Sequence, residues 1–124
     1  MKKLSKEHVI KIHGMLISQT GGIDGIRDEG LLDSALNAPF QTFDGDYIYK
    51  TIKVKAAKLG YFSVKNHAFV DGNKRIGILV MLTFLEINGI AVICSDEELI
   101  GLGLGLAEGS IDDENLMNWI IDHS

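Results

Sequence analysis

NHAFVDGNKRIGILVMLTFLEING, residues 66 to 89, decides how this chain is read. Its second half is apolar at Ile76, Ile78, Leu79, Val80, Met81, Leu82, Phe84, Leu85 and Ile87. Those positions fall on every side of a 3.6-residue repeat, so the stretch from about Asn73 to Asn88 predicts a helix buried nearly all round. Asn88 and Gly89 supply its stop. The first half differs: a histidine, an aromatic, a carboxylate, a glycine, an amide and two cations crowd the point where the helix begins. A buried helix leaves its first N–H groups unpaired, and its dipole presents positive potential at that end. The two halves describe a central helix with chemistry at its start.

The flanking segments read as further helices. Ser5 can cap a first one, with Val9, Ile10, Ile12, Leu16 and Ile17 as its apolar stripe. TGGIDGIRDEG, residues 20 to 30, ends it as a loop or short hairpin. Asp28 caps a short second helix through GLLDSALNA, ended by Pro39, the only proline. A third helix is predicted from about Tyr47 to Val64, amphipathic with its lysines outward. After the central helix, IAVI at 90 to 93 reads as a short extended piece. Ser95 and Glu98 form an S-x-x-E capping box for a fifth helix. GLGLGLAEG at 101 to 109 lacks the G-x-G-x-x-G spacing because position 106 is leucine, and its small residues suit close helix packing. Ser110 is assigned as the cap of a last helix, with Asp112, Asp113 and Glu114 complementing its dipole. The expectation is one all-α domain over residues 1–124, a compact bundle of about six helices around the buried central one.

Composition narrows the function. The 124 residues are 46% apolar and 23% charged, a balance that supports one packed core. Cys94, the only cysteine, excludes an internal disulfide and reads as a small buried apolar residue. MKKLSKEHVIKIH lacks an apolar run long enough for a signal peptide, and Ile76–Leu85 is too short to span a bilayer. A cytoplasmic protein with no membrane partner is expected. The net charge of −5 argues against a general nucleic-acid binder. Residues 47 to 75 nevertheless carry seven cations against one acid, Asp71, whereas residues 94 to 124 carry eight acids and no Lys or Arg. Positive potential therefore gathers around the motif, where it can draw in a polyanion. His8 and His13 are five apart, off the i, i+4 spacing of a helical zinc pair, and no structural metal is predicted.

Each group of the motif has a chemical use. Gly72 lets the backbone approach an anion closely, and Asn73 can add an amide donor at the helix start. Lys74 brings a point charge and Arg75 a two-pronged fork to the same anion. Asp71 can cap the helix or hold Mg²⁺ bridging phosphate oxygens. His67, an imidazole four residues before Asp71, suits removal of a proton from an attacking hydroxyl. Phe69 reads as the core anchor of the loop. A base, a metal carboxylate and charge stabilisation at a helix terminus are what phosphoryl or nucleotidyl transfer requires.

H-A-F-V-D-G-N-K-R, residues 67 to 75, resembles the signature of the Fic/Doc superfamily, H-x-F-x-[D/N]-[A/G]-N-K-R in its Doc (death-on-curing) branch. The resemblance extends to GGIDGIRDEGLLDSAL and to the order of helices. It implies a Fic fold and the toxin of a type II toxin–antitoxin system. The implied activity is a kinase that uses ATP or another nucleoside triphosphate with Mg²⁺ to phosphorylate a threonine of elongation factor Tu. The implied partner is a Phd-like antitoxin whose C-terminal segment covers the active site. Carried over by position, His67 is the general base and Asp71 the Mg²⁺ carboxylate. Gly72, Asn73, Lys74 and Arg75 form the anion-binding helix start, and the loop from Gly21 to Arg27 stands where the family's target-docking flap is expected.

Departures from the pattern refine this. Adenylylating Fic proteins carry H-x-F-x-[D/E]-G-N-G-R-x-x-R, whereas here the second glycine is Lys74 and the second arginine Ile78. Both favour phosphoryl over adenylyl transfer. Adenylylation, or a catalytically weak binding module, are the alternative readings. Ile76 and Gly77 replace the usual Thr-Ala of the Doc pattern. Ser110 to Asn115 matches the S-x-x-x-E-[G/N] inhibitory motif of some Fic proteins. The arginine that its glutamate pairs with is missing, and a helix cap with first-turn acids explains the match.

Overall fold

In a computed structural model, which describes all residues from Met1 to Ser124, the chain forms six α-helices. They are α1 (Lys6–Thr20), α2 (Glu29–Asn37), α3 (Ile52–Lys65), α4 (Asn73–Ile87), α5 (Asp96–Glu108) and α6 (Asp113–Asp122). A single 3₁₀ turn, Ala38–Phe40, follows α2. A short antiparallel hairpin, β1 (Thr42–Phe43) and β2 (Asp46–Tyr47), precedes α3. The architecture is all-α, as expected.

Most starts follow from side-chain caps. Ser5, Asp28, Thr51 and Ser95 each accept a backbone N–H of the first turn, and Ser95 and Glu98 complete the capping box. The last helix corrects one expectation. Its cap is Asp112, in a reciprocal box with Asn115, while the Ser110 hydroxyl bonds back to the Gly105 carbonyl at the end of α5.

Helix α4 is the centre. Ile76, Val80, Met81, Phe84 and Leu85 are each at most 1% exposed, and each contributes roughly 1.5–3 kcal/mol by leaving water. It packs most extensively on α3, which α6 backs, and α1 and α5 lie along its other sides. Two glycines set the α3–α4 approach. A Cβ on Gly60 would stand 2.9 Å from Met81 Sδ, and one on Gly77 would run into the Val64 side chain.

Three expectations need revision. The third helix starts at Ile52, because Asp44 and Gly45 turn the preceding residues into the hairpin. Its lysines do not all point outward. Lys55 is 2% exposed, donates to the Tyr49 carbonyl and lies over the Tyr47 ring; burial, then the charge of Lys3, pushes its pKa down. Cys94 is only half-buried.

Candidate active site

The motif loop runs from Asn66 to Gly72 between α3 and α4, and the 21–27 segment folds against it. Ile26 and Phe69 form an antiparallel bridge. The N–H groups of Arg27 and Asp28 both donate to the Ala68 carbonyl, and that of Val70 donates to the Gly25 carbonyl at 3.0 Å. The Arg27 guanidinium donates to the carbonyls of His67 (2.6 Å) and Asn66 (3.2 Å). The predicted flap is therefore an ordered strap tied to the loop it borders.

His67 is exposed and has φ +48, a left-handed conformation that few non-glycine residues adopt and histidine adopts more readily than most. Its backbone is held by Arg27, which leaves the imidazole free to project. His67, Val70, Asp71, Gly72, Asn73, Lys74 and Arg75 together line one cleft of about 400 Å³. Every motif residue that the sequence singled out for phosphate or proton chemistry thus borders a single polar space.

The Asp71 carboxylate is aimed by two backbone donors, Gly72 N–H on one oxygen (2.9 Å) and Ile23 N–H on the other (3.3 Å). Gly22 makes room for this, since a Cβ there would sit 2.7 Å from Asp71 Oδ2 and its φ is +114. Gly72 precedes α4 at φ +76, and no side chain caps the helix. The N–H groups of Asn73, Lys74 and Arg75 consequently have no acceptor within the chain; the first amide to be paired is that of Ile76, bonded to Gly72. An uncapped helix start beside two cations is a ready anion site.

Asn73 corrects an expectation. Its side chain is 7% exposed and is committed to the loop behind the cleft. Oδ1 accepts from Phe69 N–H at 3.0 Å and Nδ2 donates to the Phe69 carbonyl at 2.9 Å, so the amide closes the loop on itself. What Asn73 presents to the cleft is its backbone N–H. Arg75 donates to the Thr20 hydroxyl, with the Gly21 carbonyl 3.5 Å away, and is partly committed to holding the strap. Lys74 is exposed, with its stem laid along α5 at Gly103, where a Cβ would come within 3.1 Å.

A second space adjoins the first. Leu16, Ile78, Leu79, Leu82, Leu99 and Ile100 line an apolar groove of about 480 Å³ between α1, α4 and α5, and Lys74 and Arg75 border it as well. Ile78 opens into this groove, not into the polar cleft. Glu114 lies elsewhere, in a hollow with Tyr49, Lys58 and Met117 beside the Lys58–Asp113 ion pair. The inhibitory-motif match is a helix start, as expected, although with Asp112 as its cap.

No group of three or more His, Cys, Asp or Glu side chains converges as a metal cage. The single Asp71 carboxylate fits a different role. Each of its oxygens uses one lone pair on a backbone donor and keeps another, the donor set of a Mg²⁺ held largely by water and substrate phosphates.

Residues 3–85 match the model of the Fic/DOC family, and the chain belongs to that family. Two curated relatives to which it is similar carry Doc names. Over 70 residues the chain is 46% identical to "Toxin Doc" of Mycolicibacterium smegmatis, covering 56% of this chain and 54% of that protein. Over 111 residues it is 32% identical to "Protein kinase doc" of Escherichia phage P1, covering 90% and 86%.

Proposed function

We propose that this chain is a Doc-type toxin kinase that transfers a phosphoryl group from a nucleoside triphosphate to a protein hydroxyl. The observation that carries the reading is the single cleft in which His67, Asp71, three unpaired helix amides and two cations meet. The names of the two relatives, a toxin and a protein kinase, support it. The acceptor hydroxyl gives its proton to His67 as its oxygen attacks the γ-phosphorus. The bond from that phosphorus to the β–γ bridging oxygen breaks, and the nucleoside diphosphate leaves. The amides of Asn73 to Arg75, with the side chains of Lys74 and Arg75, stabilise the charge on the phosphate oxygens. Asp71 would hold Mg²⁺, which supplies neutralisation of the phosphates when bound.

Ile78 favours phosphoryl over adenylyl transfer, because an apolar side chain directed into the groove stands where adenylylating relatives have a phosphate-binding arginine. The proposed acceptor is a threonine of elongation factor Tu, with arrest of translation as the consequence. This rests on the Doc resemblance. The proposed partner is a Phd-like antitoxin, for which the apolar groove beside Lys74 and Arg75 is a suitable seat for an amphipathic segment.

Incubating the protein with elongation factor Tu, ATP and Mg²⁺, then reading intact masses, tests the proposal. A gain of one phosphate is expected. A gain of one AMP selects the adenylylating alternative, and no change with any nucleoside triphosphate selects a binding module. His67→Ala, and His67→Asn as the substitution best suited to a left-handed backbone, should lower transfer by about 10² to 10⁴ while the fold survives. Full activity in either folded variant would remove His67 from the role of base.

A further inference from the structure

His13 is a buried polar side chain at this end of the molecule that the proposed chemistry does not use. It lies in α1, is 1% exposed, and stacks flat on Phe69 with ring centroids 3.8 Å apart and planes at 12°. Its Nε2 is 2.7 Å from the Asp71 carbonyl oxygen. A carbonyl only accepts, so Nε2 carries a proton and donates. Nδ1 has no hydrogen-bond partner. Asp24 Oδ1, on the strap, lies 3.3 Å away but off the direction of a bond.

The bond to Asp71 matters because it fixes the peptide immediately before the Gly72 turn into α4, beside the orphan first-turn amides. The same bond holds the peptide from which the Asp71 carboxylate projects. A Cβ on Gly72 would lie 3.6 Å from Nε2, so the ring also fits against the turn into the helix. Stacking on Phe69 fixes the ring plane, and with it the direction of the donor.

We infer that His13 is a positioning residue for the cleft: its Nε2–H holds the Asp71 backbone so that the carboxylate keeps its aim at the turn into α4. This rests on the phosphotransfer reading for its consequence, though not for its geometry. Groups that orient a metal-binding or reacting side chain from behind change activity by about 10- to 100-fold when removed. His13→Leu keeps an apolar body against Phe69 but has no donor. His13→Gln places an amide N–H near the position of Nε2, whereas His13→Asn is too short to reach Asp71.

The test compares the three variants in phosphoryl transfer and in amide hydrogen exchange at Ile23 and Gly72, the two donors to the Asp71 carboxylate. Expected is a kcat loss of about 10- to 100-fold in His13→Leu and His13→Asn with KM for the protein acceptor little changed. Exchange at both amides should be faster, and His13→Gln should recover most of both effects. If His13→Leu does not fold, the Gln–Asn pair, equal in polarity and different in reach, decides alone. Equal behaviour of Gln and Asn, or native exchange and activity in folded His13→Leu, overturns the assignment. Should the parent transfer no phosphate, the functional reading fails separately, and the exchange pattern still judges His13.

Discussion

Gly77→Ala is the substitution whose outcome the α3–α4 contact decides most sharply. Glycine inside a helix costs about 1 kcal/mol relative to alanine, so on propensity alone the change should stabilise. The packing opposes this. The added Cβ would stand 3.1 Å from the Val64 backbone nitrogen and 3.3 Å from the Gly60 carbonyl oxygen, and would overlap the Val64 side chain, which is 2% exposed and cannot swing into solvent. Overpacking of this kind costs about 1–3 kcal/mol. The middle of that range, less the propensity gain, leaves a net loss of about 1 kcal/mol, or about 4 °C in Tm for a domain of this size. Val64→Ala alone should cost about 2 kcal/mol through the volume it empties. Combined, the two should be less damaging than their sum, with a coupling of about 2 kcal/mol, because the new methyl enters the space that valine vacates. Urea denaturation of the parent, both single variants and the double variant measures all four corners, provided that the m-value is constant. Stabilisation of Gly77→Ala by its full propensity, or a coupling under about 0.5 kcal/mol, would refute the reasoning. A confirmed coupling would also explain the departure from the usual Thr-Ala pattern: Val64 occupies the place of the missing methyl.

Other perturbations probe the site and the termini. Asn73→Ala strands the buried N–H and C=O of Phe69 and should cost about 2–4 kcal/mol in urea denaturation; a loss below about 1 kcal/mol would mean that water replaces the side chain. Lys74→Gly should lose most phosphoryl transfer by intact mass while circular dichroism shows a folded chain, with about 1 kcal/mol of helix stability lost. Adding Ile78→Arg should strengthen any gain of AMP transfer, and a parent that already transfers AMP contradicts the role given to Lys74. His123 donates to both the Trp119 carbonyl (2.7 Å) and Glu98 (2.6 Å), which requires the doubly protonated ring; these bonds, Trp119 first, raise its pKa above the ordinary 6.5. Stability from this clasp is complete below about pH 6.5 and is lost as pH rises through the raised folded value, so the urea-midpoint gap between parent and His123→Gln should narrow with rising pH.

How far the residues foretold the structure depended on whether the deciding interaction was local. Ser5, Asp28 and the Ser95–Glu98 box act within one turn, and the helices they begin were legible from them. The uniform apolarity of 76 to 87 was enough to place α4 at the centre. The hairpin was missed although Asp44-Gly45 is a strong turn signal, because the aromatic residues after it fit an amphipathic helix as well. Thr51, the actual cap of α3, went unread for the same reason. Ser110 reads as a cap because serine is a common one; its return to the Gly105 carbonyl, which leaves Asp112 to cap, appears only in the folded chain. Lys55, Asn73 and His13 depend on partners brought from elsewhere in the chain or folded back within the loop. Side-chain type alone suggests a solvated lysine, a phosphate donor and a histidine outside any metal pair. The one available hint at His13 was its place on the apolar stripe between Val9 and Ile17.

His67 stands on a loop whose fixing bonds are all made by other side chains and by the backbone: Arg27 grips the carbonyls beside it, Gly25 and Arg27 pair with the next residues, and Asn73 closes the turn. In genetic terms, loss of the reactivity proposed for His67 and loss of structure are separate events here. A histidine codon becomes an asparagine codon by a single base change, and asparagine tolerates the left-handed backbone at this position. On the role proposed for His67, that single change is expected to leave a folded chain with its groove intact and its transfer lost, a silenced form distinct from a null.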